Sequence, residues 1–420
     1  MRVAAKGPAA TRRKRVLLAW EYGAGRTHYS NLCAIAGHLR ASGVDCLAAL
    51  YDNTAADREF AGVGVHTVQS CVWPSQRLGQ SGWTPVRVNG FTDFLAHIGL
   101  SSSAAVAGAI AHYDGLFSLF APDLVISEAA YGAILAAREH LPVIATGFCV
   151  RLPPIVDGGF PIFPGRPGAT FPVDELLAAI NGGLARAGRF PLAEIGDLLR
   201  IAAVMPCGPA EFDFYPEQRS DPILPPSVPG LRRVLASLRD DREAGEVFVY
   251  LHGLVQEHPA VIDALTAFGA PTRAWIPDLT TASRARLAGL TLEDRPVPVK
   301  DIFARSRVVV HQGGEQLTSA CLAAGVPQVI LSTWLDTRVT GGFVKAHDLG
   351  DTAPIADATT DWLIAAVRRC YADEVLRARS AAAAPRYRDW FEIDPMAMIA
   401  ERACRLLGVP FRAAPEPATA

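Results

Sequence analysis

The sequence predicts an α/β protein with two parallel-sheet domains that face a cleft. Three observations carry this prediction. Short apolar runs alternate with helical patterns in both halves of the chain, a Pro-rich segment separates the halves, and the length of 420 residues suits two domains. Half of the residues are hydrophobic, which excludes a mainly disordered chain.

The first half begins with a strand–helix–strand unit. The apolar run Arg15–Trp20 is long enough for a buried strand and too short for a helix. A glycine-bearing turn, a helical pattern and a second apolar run, Asp45–Leu50, follow it. Such a unit makes the two strands parallel and the crossover right-handed. The alternation recurs at 122–147, after a long helical stretch from about Phe91 to Phe120.

The second half repeats this alternation after the segment Tyr215–Gly230, which contains five prolines. Its strands are expected at 246–251, 272–276, 289–293, 307–310 and 327–331. A helical pattern then runs from about Thr360 to Leu407. Ligands of parallel sheets bind outside the carboxyl ends of the strands, so we expect functional residues in the loops that follow them.

Charge and composition narrow the class of protein. The 40 Lys and Arg residues balance 42 Asp and Glu residues, which argues against a nucleic-acid partner. The basic cluster Arg12–Arg15 reads as the solvated flank of the first strand. There is no apolar run of ~18 residues, no secretory signal pattern and no cysteine pair at metal-ligand spacing. We therefore expect a cytoplasmic protein with buried thiols and no integral membrane segment.

The sharpest motif lies where a strand of the second half ends. The apolar run Arg307–Val310 leads into His311-Gln312-Gly313-Gly314, and a helix follows. Glycines at such a turn let the backbone approach a ligand, and the first N–H groups and dipole of the helix favour phosphate. The same glycines could serve the turn's conformation alone, and the motif by itself leaves both readings open.

The motifs in their order resemble the family-1 GT-B glycosyltransferases, which include plant secondary-product and bacterial antibiotic enzymes. The His-x-Gly-Gly turn, its small-residue helix and the following Ala-Ala-Gly-Val-Pro-Gln are similar to the family's donor-binding signature. The turn Trp20–His28 is similar to that of a bacterial subgroup, which reads Trp-Glu-Leu-Gly, three residues, then Gly-His. The resemblance spans about residues 15–405. It implies the GT-B architecture, with two Rossmann-like domains and a C-terminal helix that crosses back to the N-terminal domain.

The resemblance also implies a domain plan. The acceptor-binding domain is expected at 15–215 and the donor-binding domain at 246–385. The remaining segments are expected to be a flexible basic N-terminus at 1–14, a linker at 216–245, a crossover helix at 386–409 and a disordered tail at 410–420.

Two residues match the family's catalytic positions. His28 matches the general base, and an imidazole with its ordinary pKa near 6.5 suits the deprotonation of a hydroxyl. Glu128 ends the stretch Pro122–Glu128, which matches the family's Pro-Asp-Leu-Val-x-x-Asp with Glu for Asp, and would orient that imidazole. From the residues alone, His28 could also be a polar residue at a helix start, and Glu128 a solvated carboxylate that opens a helix.

The resemblance places a nucleotide sugar on a set of loop and helix-start residues. These are His311, Gln312, Gly313, Gly314, Glu315, Gln316, Thr318, Asp336, Thr337 and Val299. The chain departs from the family at several of them. Gln312 stands on the phosphate-binding His, Gln316-Leu317 replace Gly-Thr or Asn-Ser, and Thr337 replaces Gln. Glu315 puts an acid where a diphosphate would bind, and the aromatic that stacks on the base is missing near Pro296. Asp336 could also be a lone surface carboxylate.

Aromatic residues of 71–95 and 148–172 are expected to form an apolar surface for the acceptor. They are Trp73, Trp83, Phe91, Phe148 and Phe163.

The function that the resemblance implies is inverting transfer of a sugar from a UDP- or dTDP-sugar to a hydroxyl of a small, secondary-metabolite-like acceptor. No cofactor or metal is implied, and no Asp-x-Asp motif stands near a strand end. The altered donor loop keeps a second reading open, a catalytically degenerate GT-B scaffold that binds a partner protein. A nucleotide-sugar epimerase is a third. The sugar, the acceptor and the oligomeric state stay open.

Overall fold

The computed structural model describes residues 12–23, 26–77, 87–238 and 245–414, which form two compact units. The described residues of the first unit lie within Met1–Cys207, Asp213–Leu224 and Pro395–Pro415. Those of the second lie within Gly208–Phe212 and Pro225–Asp394.

The first unit contains a six-stranded parallel sheet. Its strands are β1 (Arg15–Trp20), β2 (Asp45–Leu50), β3 (His66–Gln69), β4 (Leu124–Glu128), β5 (Val143–Phe148) and β6 (Ala203–Cys207). Their order is β3-β2-β1-β4-β5-β6, so the direction of winding reverses between β1 and β4. In sheets of this order, ligands bind at that reversal, outside the carboxyl ends of the strands.

Helices cover both faces of this sheet. They are Arg26–Ala41, Asn53–Gly62, Pro74–Arg77, Phe91–Leu95, Ser103–Phe120, Tyr131–Ala137, Val173–Arg186 and Pro395–Leu407. Successive side chains of β1 alternate between the faces, as in any strand. Val16 and Leu18 pack with the helices Arg26–Ala41 and Pro395–Leu407, and Leu17 and Ala19 pack on the opposite side.

The second unit repeats this plan. Its strands are β7 (Glu246–Tyr250), β8 (Thr272–Trp275), β9 (Thr291–Leu292), β10 (Ser306–His311), β11 (Gln328–Ser332) and β12 (Gly350–Pro354). They are parallel and lie in the order β12-β11-β10-β7-β8-β9, so the reversal falls between β7 and β10. Its helices are Leu231–Ser237, Pro259–Leu265, Thr281–Arg286, Val299–Arg305, Glu315–Ala324, Leu335–Ala346, Thr360–Ala372 and Glu374–Arg388.

The two sheets confirm the predicted α/β class, and all the strands expected from apolar runs are present. Three strands were not predicted, β3, β6 and β12. All three lie at sheet edges. β3 and β12 carry polar and small residues and so lack the continuous apolar run of a central strand, whereas β6 is apolar and contains Pro206, a residue typical of edge strands.

Several segment boundaries differ from the expected ones. The helix Leu231–Ser237 lies within the expected linker and buries Leu231 and Leu235. The expected single helix 386–409 is divided: residues 386–388 end the helix Glu374–Arg388, and a second helix, Pro395–Leu407, begins at a proline. Proline, which lacks an N–H, is well placed to begin a helix.

The described parts of both chain ends, 12–14 and 410–414, are held by contacts, and the rest of the expected flexible start and tail lies outside the described residues. Arg12 and Lys14 form ion pairs with Asp123. The backbone N–H of Arg412 donates to Ser42 Oγ at 2.8 Å, and that of Ala414 donates to His38 Nδ1 at 2.9 Å.

Among the residues that the structure describes, no single helix is long and apolar enough to cross a membrane. Phe91–Leu100 and Ser103–Phe120 meet that requirement only as a pair, and the chain bends by 75° between them. The eight cysteines are free thiols, seven of them buried.

Candidate active site

The first unit brings His28 and Glu128 together at the reversal of its sheet. His28 lies in the first turn of the helix that follows β1, and Glu128 is the last residue of β4. β1 and β4 are neighbours, with Trp20 opposite Glu128 in the register. Two residues 100 positions apart therefore meet at one edge of the sheet.

The imidazole and the carboxylate form a buried hydrogen bond. His28 Nδ1 lies 2.8 Å from Glu128 Oε2, and both side chains are 3% exposed. An ionised carboxylate can only accept, so Nδ1 is the donor in this hydrogen bond, and the neutral form of the ring has its lone pair on Nε2. This is the protonation pattern that a general base needs, and it removes the reading of Glu128 as a solvated carboxylate.

Aromatic rings and two glycines fix this pair. The Trp20 ring stacks on the imidazole, with centroids 5.4 Å apart, and the Phe148 ring meets it edge-on at 5.6 Å. Gly147 has φ +129°, and a Cβ there would collide with Glu128 Oε1. Gly23 has φ +122°, and a Cβ there would lie 2.5 Å from His28 Nε2. Both backbones therefore need glycine to leave room for the side chains of Glu128 and His28.

Sequence reasoning missed a third buried polar group beside this pair, Glu21. Its carboxylate accepts hydrogen bonds from the Trp73 indole N–H at 2.7 Å and from the N–H groups of Gly132 and Ala133. Burial raises the pKa of Glu21, while these hydrogen bonds lower it. Glu21 thus ties the end of β1 to the first turn of the helix Tyr131–Ala137, and the Trp-Glu pair in the turn motif was its only sequence signal.

The expected acceptor surface is largely core, which is a correction. Trp73, Phe91 and Phe163 are at most 4% exposed, and the indole N–H of Trp73 donates its hydrogen bond to Glu21. Phe148 is half-buried and contacts His28. Trp83 lies outside the described residues. Hydrophobicity marks a side chain for burial but does not distinguish a core from the rim of a pocket.

In the second unit, the predicted glycine turn directly follows β10, at the point where the strand order of the sheet reverses. Gly313 has φ +86°, and a Cβ there would lie 2.7 Å from Ile330 Cγ2. Gly314 is exposed, has open space where a Cβ would be, and precedes the helix Glu315–Ala324. The start of that helix is therefore open to an anionic group.

His311 does not face this opening, which corrects its expected role in binding a donor. It is fully buried, with Nδ1 accepting from the Gly313 N–H at 3.1 Å and Nε2 lying 2.9 Å from Gln328 Oε1. Burial lowers the pKa of His311 to about 4, so the ring is neutral at pH 7. By accepting from the Gly313 N–H, it stabilises the turn from the buried side.

Four further predicted donor residues use their side chains within the unit. Gln312 Oε1 accepts from the His252 N–H at 3.0 Å, and Gln316 Nε2 donates to Ser227 O. Thr318 Oγ1 donates to Gly314 O, and Thr337 Oγ1 bonds backbone groups at the start of its own helix. Thr318 and Thr337 are buried, so their hydroxyls are not presented to a ligand, contrary to expectation.

Glu315 and Asp336 put two carboxylates near this opening. Both are half-buried, and desolvation, followed by the neighbouring charge of Asp336, raises the pKa of Glu315 well above its ordinary range. The Glu315 carboxylate lies against Gly208, where a Cβ would be 2.6 Å from Oε1. A raised pKa favours the neutral acid, which repels a diphosphate less than a carboxylate does.

Val299, the last of the predicted donor residues, begins the helix Val299–Arg305 and is half-buried. Within the described ranges no three His, Cys, Asp or Glu side chains cluster so as to hold a metal ion.

Comparison with known sequences places relatives on parts of this chain. Residues 278–387 match the family described as erythromycin biosynthesis protein CIII-like, C-terminal domain. Elloramycin glycosyltransferase ElmGT of Streptomyces olivaceus is 29% identical over 111 residues, which are 23% of this chain and 29% of that protein. An uncharacterized glycosyltransferase of Mycobacterium bovis is 38% identical over 82 residues, 19% of this chain and 20% of that protein. The matches thus span less than a third of these relatives.

Solved structures match almost the whole chain. Glycosyltransferase VinC in complex with dTDP has a TM-score of 0.65 at 17% identity, over 94% of this chain and 99% of that one. The calicheamicin glycosyltransferase CalG4 has a TM-score of 0.66 at 16% identity, over 96% of this chain and all of that one. These findings confirm the resemblance predicted from the sequence motifs.

Proposed function

We propose that this chain, which has the GT-B fold and an EryCIII-like C-terminal domain, is an inverting glycosyltransferase. It transfers a sugar from a UDP- or dTDP-sugar to a hydroxyl of a small-molecule acceptor. The observation that carries the proposal is the buried His28–Glu128 hydrogen bond of 2.8 Å, which leaves Nε2 free to accept a proton.

The proposed reaction is a single displacement. His28 Nε2 takes the proton of the acceptor hydroxyl, and the oxygen forms a bond to the anomeric carbon from the face opposite the diphosphate. The bond from that carbon to the diphosphate oxygen breaks, and the nucleoside diphosphate leaves with the electron pair. Glu128 stabilises the imidazolium that forms.

The second unit would bind the leaving group at the Gly313-Gly314 turn. The exposed Gly314 and the start of the helix Glu315–Ala324 supply N–H donors and a positive dipole end, which suit developing negative charge. Because the helix supplies this stabilisation, we expect the reaction to need neither metal nor cofactor. Turnover in EDTA tests this, and a requirement for added Mg²⁺ or Mn²⁺ would contradict it.

Donor binding is tested by thermal unfolding with UDP, dTDP, GDP, ADP and no ligand. A ligand at a hundred times its dissociation constant stabilises by about 2.7 kcal/mol, which is a measurable shift in Tm. We expect a shift with UDP or dTDP that is lost in Gly314→Trp. Gly289→Trp, at another open glycine of the same unit, is the matched control and should keep the shift.

The base is tested with His28→Ala. General-base catalysis contributes roughly 10²–10⁴-fold, so we expect a fall of that size in kcat with Tm nearly unchanged. His66→Ala, at an exposed histidine of β3, is the control. Unchanged turnover in His28→Ala would remove His28 as the base.

One observation favours a second candidate, a GT-B scaffold that binds a partner protein. Glu315 places a carboxyl group at the helix start where a diphosphate would bind. If no nucleotide shifts Tm at millimolar concentration, the scaffold becomes the better proposal.

A further inference from the structure

Side chains of three other residues hold the loop after β5, in which Cys149 and Leu152 are buried and Arg151 is half-buried. All four backbone carbonyls from Cys149 to Leu152 accept a hydrogen bond from a side chain. The donors are Arg219 Nη2 to Cys149 O and Leu152 O, Tyr215 Oη to Val150 O, and Tyr131 Oη to Arg151 O, at 3.0–3.3 Å. Arg219 is itself buried in an ion pair with Asp213. The backbone of Arg151 is therefore fixed before any ligand arrives.

Arg151 on this loop carries a guanidinium that has no carboxylate partner among the described residues. Arg151 is half-buried, donates from Nη1 to Tyr22 O at 2.8 Å, and lies 5.9 Å from the centre of the Tyr22 ring. A guanidinium has five N–H donors, and this one carries a single hydrogen bond within the part of the chain that the structure describes. The half-buried cation thus keeps donors for a ligand.

Arg151 faces the proposed base. A Cβ built on Gly23 would lie 2.5 Å from His28 Nε2 and 2.6 Å from Arg151 Nη1, so the two nitrogens are at most about 5 Å apart. Half-buried aromatic rings, Tyr22 and Phe148, lie beside them. A molecule that offers its hydroxyl to Nε2 therefore places its neighbouring atoms against the guanidinium.

We propose that Arg151 binds the acceptor through a carbonyl or carboxylate oxygen adjacent to the hydroxyl that receives the sugar. With the reacting hydroxyl on Nε2, an oxygen on the neighbouring position of the same molecule can lie within the hydrogen-bond distance of about 2.7–3.2 Å of the guanidinium. A 2-hydroxyaryl carbonyl compound has this arrangement, and its 4-hydroxy isomer does not. The inference rests on the proposed function, because it takes His28 as the group that meets the reacting hydroxyl.

Paired isomers test the proposal. Binding without donor is measured by calorimetry for 2- and 4-hydroxyacetophenone and for 2- and 4-hydroxybenzoate. Transfer to each compound is measured with a sugar donor of the nucleotide that shifts Tm. The ketone pair and the carboxylate pair distinguish the two sources of the oxygen. We expect the wild-type protein to prefer the 2-hydroxy isomer of at least one pair by tenfold or more in Kd and in kcat/KM.

Arg151→Met should lower this isomer ratio by roughly 10–100-fold, since a hydrogen bond to a charged group contributes about 1.5–3 kcal/mol. Arg151→Lys should restore part of the ratio, because it keeps the charge but not the planar fork. Arg58→Met, at an exposed arginine of the same unit, is the control and should leave the ratio unchanged.

Equal binding of both isomers by the wild-type protein overturns the inference, as does an isomer ratio that Arg151→Met leaves unchanged. If the wild type still hydrolyses the donor and His28→Ala does not, the proposed function stands without the inference about Arg151. If no nucleotide binds and no donor is consumed, the proposed function fails. The ratio of the Kd values of the two isomers then still decides whether Arg151 binds the oxygen next to the hydroxyl.

Discussion

Trp20 and Glu128 lie opposite each other in the register of β1 and β4, and both contact the imidazole of His28. Trp20 stacks on the ring and Glu128 holds Nδ1, so two neighbouring strands fix its plane and its tautomer together. In the proposed reaction, a side chain fixed in this way loses little entropy when it accepts a proton from a bound acceptor.

Removing the charge of Glu128 should lower kcat more than it lowers stability. Glu128→Gln keeps the size of the side chain but offers a weaker partner to Nδ1–H and no charge for the imidazolium. We expect kcat to fall by roughly 10²-fold or more, within the range of general-base catalysis. Steady-state kinetics and thermal unfolding measure the two effects. Glu128→Asp, which keeps the charge, should retain more activity than Glu128→Gln, and the reverse order would argue against an orienting role.

Gly147→Ala should displace the Glu128 carboxylate. The added methyl group collides with Oε1, and φ +129° is a strained conformation for alanine, at a cost of about 1–3 kcal/mol. We expect lower kcat and lower Tm together. Gly108→Ala, in the helix Ser103–Phe120 with open space at its Cβ, should leave kcat unchanged and stabilise by up to about 1 kcal/mol. Full activity in Gly147→Ala would show that Glu128 can move without loss.

Glu315 should make both stability and nucleotide binding depend on pH. Its pKa is raised by desolvation and by Asp336, so its contribution to stability is full below the ordinary carboxyl pKa and is lost as pH rises through the raised value. Glu315→Gln should therefore be more stable than the wild type at pH 8, and the difference should shrink toward pH 5. Urea unfolding at several pH values measures this.

The same titration should affect the proposed donor site. An ionised Glu315 repels a diphosphate at the helix start, so UDP or dTDP should bind the wild type more tightly as pH falls. Binding by Glu315→Gln should change less over the same range. A parallel pH dependence in both proteins would show that Glu315 is not near the bound diphosphate.

His311 should destabilise the protein in mild acid. Its folded-state pKa is lowered to about 4 by burial, so its contribution to stability is intact above about pH 6.5 and is lost as pH falls toward 4. The loss amounts to at most about 3 kcal/mol. His311→Gln lacks the titrating group, so its unfolding free energy should fall less between pH 6.5 and 4. Equal slopes would mean that the ring is protonated in the folded protein.

Much of the site was predictable because chain order and strand period determine it. Strands joined by crossover helices are parallel, and their carboxyl ends share one edge. His28 follows β1 and Glu128 ends β4, so their positions in the motifs predict that both lie at one edge of the sheet. The turn at Gly313-Gly314 was predicted for the same reason.

Local sequence could not decide which side chains of these motifs face a ligand. His311 and Thr318 belong to the motif, yet their polar atoms are used behind the turn. Trp73 and Phe91 have the composition of a binding surface and lie in the core. In each case the deciding contact is tertiary, and a motif specifies spacing along the chain but not its packing partners.

The sequence by itself determined the α/β class, the strand–helix alternation and the positions of His28 and Glu128 in it, because hydrophobic period and connection length constrain these features locally. Only the tertiary structure decided that Glu21 caps a helix 111 residues away and that the carbonyls around Arg151 are held by Arg219, Tyr215 and Tyr131. The physical reason is that a buried polar group must find its hydrogen-bond partner in space, and the partner's distance along the chain does not limit that choice.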